Sequence, residues 1–153
     1  MNKKAGILTI ALLLLTVLSS TGFAQSIGLT ELVDKFKQAT DLQRGDMVNT
    51  YFGKDLEAEG VVYNVEDYNF FNEKKDFLKK YYKITTDTQT TPGQTPYQVN
   101  FLFIDPEEAK DVVKGQTLKK SGPLIRLTDE RLFISVWLFD GALTPEEKEL
   151  FQQ

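Results

Sequence analysis

The amino-acid sequence predicts a mainly β chain with helices. The expected architecture is a five-stranded OB-fold, a Greek-key barrel in the order β-β-β-α-β-β, preceded by an N-terminal helix. Three observations predict it. The first is a long strand from Gly53 to Val65 with a glycine in its middle. Leu56, Ala58 and Gly60 share one parity, whereas the later apolar residues fall at Val61, Tyr63 and Val65. Side chains alternate faces along a strand, so the change of parity places a bulge or sharp coil at Gly60. A strand bent in this way serves both sides of a small barrel. The second observation is the clean alternation of Tyr97, Val99, Phe101 and Phe103. The third is a helix start, Asp105-Pro106-Glu107-Glu108, set between the third and fourth predicted strands.

The elements follow in chain order. Residues 1–24 have the three parts of a secretory leader: Asn2-Lys3-Lys4, an apolar run from Ile7 to Leu18, and the small-x-small site Gly22-Phe23-Ala24. The run is short for a membrane span, which needs about 20 residues. No cysteine follows it, so lipid attachment at an N-terminal cysteine is not expected. No later stretch is apolar enough to span a bilayer. The expected location is therefore outside the cytoplasm, periplasmic or extracellular.

Residues 25–52 form the expected N-terminal helical segment. Leu29, Leu32, Val33 and Phe36 recur at helical spacing. Arg44-Gly45-Asp46 interrupts the pattern, with a helix break expected at Gly45 and a short second helix through Met47, Val48 and Tyr51. The same tripeptide occurs in adhesion ligands, but three residues on a helix carry little weight.

Residues 53–143 form the expected barrel. After the first strand, Glu66 to Asp76 is polar with three aromatics and is expected to be a loop. The second strand runs from Phe77 to Thr86, with Tyr82 and Ile84 inward and Lys79, Tyr81 and Lys83 outward. Thr85 to Pro96 is low in complexity and contains Pro-Gly, which marks a hairpin loop. The third strand is Tyr97 to Ile104. Asp105 can cap the following helix, Pro106 suits its first position, and Glu108 completes a capping box. This helix is expected to plug an open end of the barrel. The fourth strand, Thr117 to Thr128, should be interrupted at Gly122-Pro123. The fifth runs from Arg131 to Phe139. Its apolar residues lie on both faces, so it should be covered on both sides, with the N-terminal helix outside the barrel. Residues 144–153 form a short C-terminal helix and tail, capped by Thr144 and Glu147.

Composition narrows the chemistry. The 153 residues carry a net charge of −4 and contain no His and no Cys. Loss of the leader removes Lys3 and Lys4 and takes the charge of −4 to −6. Overall charge therefore does not favour nucleic acid or an anionic membrane. Without His or Cys the chain lacks the commonest bases, thiol nucleophiles and transition-metal ligands. No catalytic residue, cofactor or metal site is expected.

Two further stretches stand out: Tyr51-Phe52-Gly53-Lys54 through Gly60-Val61-Val62, and Ala109 through Lys114-Gly115-Gln116 to Gly122. On these residues the chain, from about Leu42 to Leu143, resembles the bacterial tRNA-anticodon-like (tRNA_anti-like) family of exported or membrane-attached OB-fold proteins. These motifs are turn glycines and strand starts, so they imply the fold and leave the ligand open. Pro123 departs from the family pattern.

One constellation points to binding. Lysines 74, 75, 79, 80 and 83 interleave with Phe77, Tyr81 and Tyr82, and Tyr68, Phe70 and Phe71 lie just before. Basic and aromatic residues on this part of such a barrel form a binding platform, although a solvated strand face has the same composition. The expected ligand-binding residues are Tyr68, Phe71, Lys79, Tyr81 and Lys83. The expected function is a non-catalytic envelope binding module for a protein, peptide or glycan, with nucleic acid set aside. A carboxylate-only glycan hydrolase built on Glu57 and Glu59 is the alternative, and a structural or stress-related envelope protein is another.

Overall fold

A computed structural model describes residues 27–68, 81–87, 90–103 and 105–152. The expected leader, most of the expected first inter-strand loop and the start of the second predicted strand lie outside these residues.

The described chain is mainly β with helices. The elements are α1 (Leu29–Gln38), α2 (Asp41–Tyr51), β1 (Asp55–Tyr68), β2 (Tyr81–Asp87), β3 (Tyr97–Phe103), α3 (Pro106–Lys110), β4 (Thr117–Asp129), β5 (Ile134–Phe139) and α4 (Pro145–Phe151). The five strands close on themselves in the order β1-β2-β3-β5-β4. All pairs are antiparallel except β3 with β5.

β1 makes the closure possible. Its first half, Asp55–Val61, pairs with β4, and its second half, Val61–Tyr68, pairs with β2. The bulge lies between Val62 and Asn64, not at Gly60 as the parity had implied. Gly60 has a different task. A Cβ there would lie 2.7 Å from Thr86 Oγ1 and 2.9 Å from Asp87 O, so glycine lets β2 cross close over β1.

Inward side chains of all five strands form the main core with Leu29, Leu32, Val33 and Phe36 of α1 and Ala109 of α3. α1 lies by the start of β3, where Thr30 Oγ1 is 3.3 Å from the Tyr97 hydroxyl, and α3 follows the end of β3. The two helices thus sit at opposite ends of that strand. α1 contributes to the barrel core, whereas it was expected to cover the outside.

That outer cover is α4. Tyr81, Leu102, Ile125 and Phe139 point outward from the sheet and form a second core, against which Phe52, Leu143 and Phe151 pack. α4 starts sharply because Thr144 and Glu147 form a reciprocal capping box behind Pro145.

Three local expectations are corrected. The helical segment breaks at Ala39–Thr40, where Thr40 and Gln43 make a capping box, and Gly45 lies inside α2. β4 runs unbroken through Gly122-Pro123, whose partners on β1 are Leu56 and Asp55. β5 begins at Ile134, because Arg131 turns with φ 69° and Leu132 is left 83% exposed.

Candidate functional site

The outer face beyond α4 carries a polar and aromatic cluster built from several strands. β5 turns Ser135 and Trp137 outward, on the opposite parity to core residues Ile134, Val136 and Leu138. Register places Asn100 beside Trp137 on one side and Arg126 beside it on the other. Thr85 lies opposite Asn100 on β2.

A hydrogen-bonded chain fixes this arrangement. Thr85 Oγ1 donates to Asn100 Oδ1 at 2.9 Å, and Asn100 Nδ2 donates to Ser135 Oγ at 3.1 Å. Trp137 Nε1 donates to the same Ser135 Oγ at 2.9 Å. Thr85, Asn100 and Ser135 are buried. Buried polar groups hold position when each finds a partner, so the indole is pinned by its N–H.

Trp137 stays partly exposed and gathers aromatic and cationic neighbours. The Tyr68 ring lies 5.3 Å from it, centroid to centroid, at 54°. Lys83 Nζ stands 5.5 Å from the Trp137 ring centroid and 5.3 Å from that of Tyr68. The Arg126 guanidinium is 5.6 Å from the Trp137 centroid. These are cation–π distances. Lys83 also pairs with Glu66, its neighbour across β1 and β2.

The structure thus brings together Tyr68 and Lys83 of the sequence-predicted residues. Phe71 and Lys79 lie outside the described residues. Tyr81 is corrected: its side chain is fully buried beneath α4, where its hydroxyl donates to Glu147 Oε1 at 3.3 Å. Burial first, and then the Glu147 carboxylate, pushes the Tyr81 hydroxyl well above the usual tyrosine range. Outward parity was correct for Tyr81, but α4 covers that row. Trp137, Arg126 and the Thr85–Asn100–Ser135 chain were not anticipated. The available signal was that the chain's single tryptophan sits at an outward position of a strand.

Other charged sets have structural partners. Glu57 Oε1 pairs with Lys119 Nζ at 3.0 Å on an exposed face, so Glu57 and Glu59 do not converge on a cleft. The adhesion-like tripeptide is spent on the fold. Arg44 donates to the carbonyls of Phe36 and Lys37 at the end of α1 and pairs with Asp129 at 3.2 Å. Glu108 does not close a capping box on α3; it pairs with Lys120, which also holds Asp140. Burial raises the Asp140 carboxyl above its usual range, against the pull of Lys120. Among the described residues no group of three or more acidic side chains is placed to hold a metal ion. No helix among them is long and apolar enough to cross a membrane.

No family model matches the chain, and no curated protein matches it significantly. Membership of the tRNA-anticodon-like family is therefore not carried further. One similar solved structure is described as a putative nucleic acid-binding lipoprotein from Klebsiella pneumoniae subsp. pneumoniae. It has a TM-score of 0.48 and 12% identity, over 72% of this chain and 84% of that one. That description contradicts the partner expectation, which had set nucleic acid aside in favour of an envelope protein, peptide or glycan. The ranking is withdrawn.

Proposed function

We propose that the protein is a non-catalytic binding module, exported by its leader, whose closed sheet is an OB-type barrel. Its ligand lies on the outer face around Trp137, Tyr68, Lys83 and Arg126. The observation that carries this reading is the indole held by the Thr85–Asn100–Ser135 chain, with two cations beside it. An aromatic ring fixed before binding loses little freedom when a ligand stacks on it. The neighbouring cations favour negative charge close to the stacked group. The ligand is therefore an anionic chain or molecule that carries planar or ring-shaped groups. Hydrolysis by carboxylates is the poorer reading, because Glu57 is paired with Lys119 on an open face.

The test is calorimetric titration with two anionic, ring-bearing probes, oligothymidylate and heparin, and with polyglutamate as the ringless anionic control. At least one of the first two should bind, and more tightly than polyglutamate. Trp137→Ala should weaken it by about 1–3 kcal/mol, the usual worth of one stacked group. Lys83→Gln should flatten the salt dependence. Binding of neither oligothymidylate nor heparin, equal binding of polyglutamate, or equal binding by Trp137→Ala, would count against this face.

A further inference from the structure

Strand register arranges the outward residues around Trp137 in rows. One row holds Thr85, Asn100, Trp137 itself and Arg126. Two residues along each strand lies a row of Asp87, Gln98, Ser135 and Thr128. Two residues the other way, the row contains Lys83. The indole N–H bonds Ser135 Oγ, so that edge of the ring borders the Asp87–Thr128 row. Lys83 reaches the same ring from the opposite row.

The two sides of the ring differ in charge and in hydrogen-bonding capacity. On the N–H side, Gln98 Nε2 donates to Asp87 Oδ1 at 3.0 Å, which leaves Gln98 Oε1 and Asp87 Oδ2 for a ligand. At the β4 end of the row, Thr128 Oγ1 donates to Glu130 Oε1 at 2.9 Å and leaves the second Glu130 oxygen. No cation among the described residues pairs with Asp87 or Glu130. Both carboxylates are exposed, and Gln98 and Thr128 are half-buried, so solvent reaches this row. The cations stand elsewhere: Lys83 in the opposite row and Arg126 beside the ring on β4.

We infer that Gln98, oriented by Asp87, determines specificity at this face by selecting stacked heterocycles that carry an amino group on the edge away from their negative charge. The inference rests on the stacking site proposed above and names what that site prefers. Opposite charges fix the ligand's direction: the cations draw its anionic end toward Lys83 and Arg126, and the carboxylates repel that end from Asp87 and Glu130. The other edge of the stacked group then meets Gln98. Gln98 lies diagonally from Trp137 on the neighbouring strand, roughly 7–8 Å away, a gap that one stacked ring bridges. Acceptors on this row are satisfied by N–H donors, whereas a carbonyl edge would leave oxygen facing oxygen, the kind of mismatch that rejects a wrong ligand. Adenine and cytosine present an exocyclic amino group, and thymine presents a carbonyl in its place. The preferred ligand is therefore a phosphate-bearing chain or molecule with adenine-like or cytosine-like rings.

The experiment titrates the full chain with oligodeoxyadenylate, oligodeoxycytidylate and oligothymidylate of equal length at neutral pH. The expected result is that the first two bind at least about fivefold tighter than oligothymidylate, within the usual range for one base-edge contact. Gln98→Leu should narrow that preference to less than about twofold, while Lys83→Gln should weaken all three and keep their order. Equal binding of the three by the wild type, or a preference that survives in Gln98→Leu, would overturn the inference; the stacking site would still stand if Trp137→Ala weakened all three. Binding of none of the three would overturn the inference together with the reading on which it rests.

Discussion

Ser135 accepts from two donors, the Asn100 amide and the Trp137 indole, and so ties the partly exposed ring to a buried network. Ser135→Ala leaves both donors without that acceptor. The expected loss is about 1–3 kcal/mol in urea unfolding, together with a more mobile indole seen as lower tryptophan anisotropy. Gly122 is a second sensitive position. A Cβ there would lie 2.0 Å from the Phe139 carbonyl oxygen, which belongs to the backbone of β5 and cannot rotate aside. Gly122→Ala should therefore cost about 3 kcal/mol or more in the same assay. Asp129 gives a pH prediction. The bond from Lys37 holds its carboxyl below the usual range, helped by the Arg131 amide and the Arg44 charge. A lowered folded pKa contributes stability above the unfolded value of about 3.9 and loses it as pH falls through the folded value. Asp129→Asn should thus lower the melting temperature at neutral pH, and its difference from the wild type should shrink as pH drops below about 4. At this scale the sequence was informative about direction and silent about company. Lys83 and Tyr81 were correctly placed outward by alternation, yet only one of them remains near the surface. Ser135, which holds the indole, finds Asn100 35 residues away on β3, and Trp137 meets Tyr68 and Lys83 from farther still on β1 and β2; a local pattern cannot encode such a meeting.

α4 shows how a short element can matter through what it covers. Its seven residues are fixed by the Thr144–Glu147 box, and the box carboxylate is fully buried where Tyr81 donates to it. The helix therefore starts at one place and closes over Tyr81, Phe139 and Phe151, whose rings meet at centroid distances of 5.8 to 6.1 Å. Thr144→Ala should lower stability by about 1 kcal/mol, measured by thermal or urea unfolding. Both Thr-Pro-Glu-Glu at α4 and the apolar spacing of α1 were legible, because capping and periodicity are local. The break between α1 and α2 was misplaced for an instructive reason. Gly45 looked like a stop, but a glycine inside a helix costs only about 1 kcal/mol. The Thr40–Gln43 box and Arg44, which donates to the last carbonyls of α1, set the boundary instead. The outer cover of β5 was expected from its two apolar faces, and the cover is real. Its source was misassigned because nothing in a strand's pattern says which helix will reach it.

Across the whole molecule, closure depends on one long strand shared between two partners, and this much was visible in the sequence around Gly60. The consequence that was not visible is where the sharing stops. β1 leaves β4 at Pro123, α2 takes its place beside β4, and the outer face between α4 and the β4–β5 turn is left to Trp137 and Arg126. The central claim is that this face binds an anionic ligand bearing planar groups. The chain holds a single tryptophan, so its fluorescence reports from that face alone. The most direct measurement is tryptophan emission during titration with oligothymidylate and heparin, and with polyglutamate as the ringless control, for the wild type and for Arg126→Gln. The account predicts that oligothymidylate or heparin quenches or shifts the emission to saturation, with the midpoint moved to higher concentration in Arg126→Gln. Emission that stays unchanged with both, a response to polyglutamate alone, or a midpoint unaffected by the loss of Arg126, would contradict it.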